Sequence, residues 1–305
     1  MEKEKKKKQK KVSGSAVNSI QRKAMKRYAP LFILPTFLAF CIGFIYPFFW
    51  GIKLSFMSFK TLRFQTFCWF DNYVTALKDS EFFTSFRFTT VYTIVSMILI
   101  NLIAFAIALA LTRGLKGSTF FRTVFFMPNL IGGIVLGYIW KVILDGIIKI
   151  LWNSALVLNS TYGFWGLIIL MCWQQVGYMM IIYVAGLQNV PQDYVEAARI
   201  DGASSGQILT KITIPSIMPT ITICTFLTLT NSFKLFDQNL ALTKGAPYVG
   251  TKATTQMLAL NIYNSFYSNA TNRGIGQAKA VIFFLLVGII SLVQLNFTRS
   301  KEVQE

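Results

Sequence analysis

Val91-Tyr92-Thr93-Ile94-Val95-Ser96-Met97-Ile98-Leu99-Ile100-Asn101-Leu102-Ile103-Ala104-Phe105-Ala106-Ile107-Ala108-Leu109-Ala110-Leu111 is an unbroken run without a single charged side chain. A helix needs about 20 mostly apolar residues to cross the hydrocarbon of a bilayer, and this run supplies them. Five other stretches read the same way: Ala29 to Trp50, Val124 to Trp140, Phe164 to Leu187, Ile217 to Phe236 and Ala280 to Phe297. The third of the six in chain order is short and contains Pro128 and Gly132-Gly133, so its ends are the least defined. In lipid the backbone must satisfy its own polar groups, which selects helices over open strands, and the alternating ten-residue pattern of a membrane barrel is absent. The expected fold class is all-α, a polytopic membrane protein with six transmembrane helices.

Composition agrees. Of 305 residues, 54% are hydrophobic and only 14% charged, outside the balance of an ordinary soluble domain. The net charge of +18 raises the question of nucleic acid, but 11 of the 30 Lys and Arg residues precede Tyr28, directly before the first apolar run. A basic segment in that place fixes topology and meets anionic lipid, so membrane lipid is the expected partner and nucleic acid is not. Residues 1–28 are therefore expected to form a basic cytoplasmic tail, residues 29–297 the membrane domain and residues 298–305 a cytoplasmic C-terminus. With the tail inside, Thr112 to Arg122, Gln188 to Pro215 and Thr298 to Glu305 are also cytoplasmic. These pieces together with the tail hold 18 Lys and Arg residues against 12 elsewhere, the sign the positive-inside rule requires. The basic region is too long for a secretory signal, and no small-residue cleavage site follows the first run.

Catalytic chemistry finds little material. The chain has no histidine, so Ser-His-Asp and Cys-His arrangements are excluded, and Cys41, Cys68, Cys172 and Cys224 lack metal-ligand spacing. No catalytic residue and no metal site is expected. No G-x-x-x-x-G-K-[ST] loop is present to cradle nucleotide phosphates.

The segment after the fourth run is the most informative loop. Val190-Pro191-Gln192-Asp193-Tyr194-Val195-Glu196-Ala197-Ala198-Arg199-Ile200-Asp201-Gly202 places Pro191 at a helix start, acidic residues in its early turns, Arg199 in its last turn and Gly202 as its C-terminal cap. Ser204 or Ser205 then caps a second helix that ends near Pro215, where the fifth run begins. Val195, Ala198, Ile200 and Ala203 fall where solvent is expected, which points to a docking partner, although a plain connecting loop stays open on the residues alone.

Glu196-Ala197-Ala198, three residues, Gly202, nine residues, then Ile212-Thr213-Ile214-Pro215 resembles the EAA loop of ATP-binding-cassette importer permeases, with Ile214 where the usual Ile-x-Leu-Pro has Leu. Phe120 to Asn129, Ala185 to Pro191, Ile200 to Ala203, Phe236-Asp237 and Thr243-Lys244-Gly245-Ala246-Pro247 are similar to motifs of the maltose-type sugar permeases, with Ala246 in place of a second glycine. The likeness covers roughly residues 85–297. It implies the type I importer permease fold in a bacterial inner membrane, with Glu196, Ala197, Ala198, Gly202, Ile212, Ile214 and Pro215 forming the ATPase-coupling loop. It further implies a second permease subunit, two cytoplasmic ATP-binding subunits that carry the ATP and Mg, and an extracellular sugar-binding lipoprotein. This chain itself is expected to bind no cofactor.

Sugars are held by flat aromatic faces and by amides or hydroxyls, so polar groups inside apolar runs are candidates for the path. Gln175, Tyr178 and Asn231 are the first choices, with Gln174 and Thr228 second; interhelical hydrogen bonding is the competing role for all five. A permease for a non-sugar solute such as an amino acid or polyol phosphate shares the EAA loop. A stand-alone channel or carrier is disfavoured, because no Asp, Glu or His lies within the six runs as drawn.

Overall fold

The computed structural model describes residues 28, 31–61, 64–250, 252–268 and 273–300. The basic tail, apart from residue 28, the start of the first run and the last five residues of the C-terminus lie outside the described residues. The chain is mostly helical: α1 (Leu31–Ser55), α2 (Asp71–Lys78), α3 (Ser80–Thr112), α4 (Ser118–Phe126), α5 (Gly133–Trp152), α6 (Ser160–Gln188), α7 (Gln192–Ile200), α8 (Ser205–Ser216), α9 (Met218–Phe233), α10 (Asp237–Leu242), α11 (Leu258–Tyr267) and α12 (Arg273–Arg299).

Four of these, α1, α3, α6 and α12, are long and apolar enough to cross a membrane, and α8 with α9 makes a fifth if the pair, bent by 70° at Ile217, is one span. Within α1 the rings of Phe40, Phe44 and Phe48 stack at successive one-turn intervals, with centroids 5.2 and 6.0 Å apart. Helix α3 starts because Asp79 caps it, accepting the Glu81 N–H at 2.9 Å, and its 33 residues extend for about 50 Å, more than the hydrocarbon requires. Asn159 caps α6 in the same way, accepting the Thr161 N–H at 2.8 Å.

Helix α6 is the centre of the bundle. Leu167, Leu170, Met171, Met179 and Met180 are all buried, and Tyr92, Ile100, Ala104 and Ala108 of α3 join the same cluster. Three polar links cross this apolar core. Tyr183 O–H donates to Asn101 Oδ1 at 2.9 Å, Asn101 Nδ2 donates to Thr228 Oγ1 at 3.2 Å, and the hydroxyls of Ser96 and Ser232 share a bond of 2.9 Å. Helices α3, α6 and α9 are thus joined by side chains that would otherwise be unpaired in an apolar interior.

Three sequence expectations change. The third run, Val124 to Trp140, is not one helix: α4 stops at Phe126, a 3₁₀ turn covers Met127–Leu130, and α5 starts only at Gly133. Pro128 has no N–H to give a continuing helix, and Gly132 is extended at ψ 138°. The break also lets α5 lie against α10, since a Cβ on Gly133 would stand 2.8 Å from the Asp237 Cβ and one on Gly137 2.6 Å from the Ala241 Cβ. Helix α5 runs on to Trp152 and carries Lys141, Asp145 and Lys149, so a carboxylate does occupy a helix of the bundle. The all-α expectation also gives way locally, because the stretches after α1 and after α10 hold short antiparallel hairpins: β1 (Met57–Thr61) with β2 (Phe64–Phe67), and β3 (Tyr248–Val249) with β4 (Lys252–Ala253).

Candidate functional site

The loop between α6 and α9 folds as a helix, a corner and a second helix. Asp193 lies in the first turn of α7 and Arg199 in its last, each complementing the helix dipole, and Pro191 stands at the N-cap position, one residue before the expected one. The end of α7 is closed by backbone bonds from Asp201 N–H to Ala197 O at 3.0 Å and from Ala203 N–H to Ala198 O at 2.9 Å. Gly202 adopts φ +79°, and no atom lies within 4 Å of where its Cβ would be. The left-handed backbone, not lack of space, is what requires glycine there. Ser204 then makes a capping box: its Oγ accepts the Gln207 N–H at 3.3 Å, and Gln207 Oε1 accepts the Ser204 N–H at 2.7 Å.

Between α7 and the bent α8–α9 segment is a groove of about 910 Å³, lined among others by Tyr194, Ala197, Ala198, Lys211, Ile212 and Pro215. Four of the seven coupling-loop candidates therefore meet around one recess. Glu196 is exposed on α7, Ile214 is half-buried in α8, and Gly202 forms the corner between them. No residue of α7 is buried, and Ile200 is 86% exposed. Val195, expected at the surface, is half-buried and packs against the core, whereas Tyr194, not singled out by sequence, is 58% exposed. Periodicity places these two residues on different faces but not which face meets the bundle.

The path candidates divide into two groups. Gln174 is buried and committed at both ends: its Nε2 donates to Ile131 O at 3.2 Å, and its Oε1 accepts from Gln238 Nε2 at 2.8 Å. Thr228, also buried, donates to Cys224 O at 2.7 Å and accepts from Asn101. Both tie elements of the bundle together. By contrast, the Gln175 Oε1 is buried with no hydrogen-bond partner among the described residues. Half-buried Asn231 makes no side-chain hydrogen bond among them, and half-buried Tyr178 sets its ring 6.5 Å from that of Phe126. Unspent hydrogen-bonding capacity in a membrane helix is the property a polar solute uses.

A further polar centre escaped the sequence reading. Lys279, 2% exposed, donates to Asp79 Oδ2 at 2.6 Å, Ser265 Oγ at 2.6 Å and Asn261 Oδ1 at 3.1 Å, so all three of its protons are used. Burial pushes the Asp79 carboxyl up, but the hydrogen bonds from Lys279 and the Glu81 N–H, with the Lys279 charge, outweigh this and hold it below its ordinary value. A lysine directly before the apolar run from Ala280 was the visible signal, but its partner lies 200 residues earlier.

Comparison with known proteins follows the same lines. The family model described as binding-protein-dependent transport system inner membrane component matches residues 103–302. The probable starch degradation products transport system permease protein AmyD of Thermoanaerobacterium thermosulfurigenes is 41% identical over 281 residues, covering 90% of this chain and 94% of that one. The multiple sugar-binding transport system permease protein MsmF of Streptococcus mutans is 31% identical, covering 92% and 99% respectively. Among solved structures, a chain of a bacterial ABC transporter involved in the import of the acidic polysaccharide alginate superimposes with a TM-score of 0.75 at 21% identity, over 92% of this chain and 98% of that one. That likeness establishes the fold.

Proposed function

The chain belongs to the family of binding-protein-dependent transport system inner membrane components, and from that premise we propose that it is one permease half of an ATP-driven oligosaccharide importer. The relatives named for starch degradation products and for multiple sugars support the solute class. The observation that carries the mechanism is the exposed α7–Gly202–α8 corner hung between α6 and α9, the two helices that hold the unpaired Gln175 and Asn231.

Only three residues separate the end of α6 at Gln188 from the start of α7 at Gln192, so a force on α7 reaches α6 with little slack. Its other end reaches α9 through the 70° bend at Ile217. The Tyr183–Asn101–Thr228 chain of hydrogen bonds joins α6 and α9 to α3, so the three helices move as a block. Docking of a partner ATPase in the groove beside Ala197, Ala198, Ile212 and Pro215 then shifts the bundle between two arrangements, an ordinary two-state coupling. ATP with Mg on that partner supplies the free energy. A second permease chain completes the pathway, and an extracellular sugar-binding lipoprotein delivers the solute.

The complete topology has six crossings with both termini in the cytoplasm, α5 being the sixth. Lys141, Asp145 and Lys149 recur every four residues along α5 and so share one face, which a crossing helix turns toward protein or water. Reconstitution of the complex in liposomes tests the reading. Radiolabelled maltodextrin enters only when the binding protein, both permease chains and the ATPase with ATP are present; uptake with the ATPase omitted overturns it.

A further inference from the structure

Helices α11 and α12 line a shallow, open recess of about 430 Å³ together with Phe236, which lies beyond the end of α9. Its wall is an aromatic series. The rings of Phe236 and Tyr263 are 5.1 Å apart, and those of Tyr263 and Tyr267, one helical turn apart on α11, are 4.6 Å apart. Tyr263 is 41% and Tyr267 64% exposed, and the rings are tilted to one another by 54° at Phe236–Tyr263 and 37° at Tyr263–Tyr267. Gln277 supplies an amide, and among the described residues that line the recess none is charged. Tyrosines also occur singly as anchors at the membrane interface. A continuous ladder of three rings around a concavity, with one amide and no charge, has instead the composition of a site for a neutral polyhydroxylated ligand, whose C–H faces stack on rings while its hydroxyls meet the amide.

Resting on the oligosaccharide reading above, we propose that Phe236, Tyr263 and Tyr267 form a stacking platform that receives successive sugar rings of the solute before they reach Asn231. The placement follows the chain: Phe236 lies five residues beyond Asn231, so the ladder starts where the candidate path on α9 ends. A series of rings holds a long saccharide at several points and a short one at few. The platform therefore discriminates by chain length.

Uptake by the reconstituted complex is compared for maltose and maltoheptaose. Tyr263→Leu and Tyr267→Leu keep apolar bulk but remove the flat face, and raise KM for maltoheptaose by about three- to tenfold while changing that for maltose much less. Tyr263→Phe and Tyr267→Phe keep the face and stay near wild type. A second measurement covers any leucine variant that fails to assemble: on a cysteine-free background, the Tyr267→Cys variant is labelled by a membrane-impermeant maleimide, and maltoheptaose-loaded binding protein slows labelling more than maltose-loaded binding protein does. Equal KM for wild type and both leucine variants overturns the platform, as does equal loss in the phenylalanine variants, or labelling indifferent to saccharide length. Failure of the wild-type complex to take up either glucan overturns the oligosaccharide reading itself, and the platform with it.

Discussion

Gln174 and Gln175 are neighbours on α6, yet one spends its amide on Ile131 and Gln238 while the other keeps a buried oxygen unpaired. Alanine at Gln174 or Thr228 leaves former partners without a bond and is expected to lower stability by about 1–3 kcal/mol, read as a reduced melting temperature of the purified complex. Alanine at Gln175, Tyr178 or Asn231 is expected to lower sugar uptake with a normal yield of assembled complex. The reverse pattern would exchange the two roles. Asp79 offers a second residue-scale test. Its carboxyl is held below its ordinary value, so the folded chain binds that proton less readily than the unfolded one. The stabilisation is complete above the unfolded value of about 4 and is lost as pH falls through the lower folded value. Asp79→Asn should flatten the acid limb of a melting-temperature profile measured from neutral pH down to about 3; an unchanged limb would show that the Lys279 link does not contribute.

The helix–corner–helix of α7 and α8 was legible in the sequence because its signals are local: Asp193, Arg199, Gly202 and the Ser204–Gln207 box each act within a turn of where they stand. The long helices were legible for the same reason, since apolar length decides them. What sequence did not reveal depends on distant partners. Gly132-Gly133 was visible as a weak point in the third run, but the reason α5 needs small residues is α10, which packs on it from about 100 residues later. The two hairpins lie in stretches without strong alternation, and the Asp79–Lys279 link spans most of the chain. The α5–α10 contact can be tested directly. Gly137→Leu forces a side chain into Ala241 and is expected to cost about 1–3 kcal/mol. Gly146→Ala, on the same helix with no atom within 4 Å, is expected to be neutral or to stabilise by up to about 1 kcal/mol. Equal melting temperatures for the two variants would remove that packing from the account.

On the scale of the whole molecule, the proposed six-crossing arrangement would put the α7–α8 corner and the α11 end on opposite sides of the membrane. A Ser204→Cys variant is expected to react with an impermeant thiol reagent only from the cytoplasm, and a Ser268→Cys variant only from outside; labelling of both from one side contradicts six crossings. The central claim is that this chain converts events on a partner ATPase into movement of its own bundle through the corner at Gly202. Gly202→Val strains a left-handed residue by about 1–2 kcal/mol, and Glu196→Lys reverses the charge on the exposed face of α7. The most direct measurement is ATP hydrolysis by the reconstituted complex with and without sugar-loaded binding protein. Both variants are predicted to insert and assemble normally but to lose the stimulation by loaded binding protein together with sugar uptake, and wild-type stimulation and uptake in both would contradict the account.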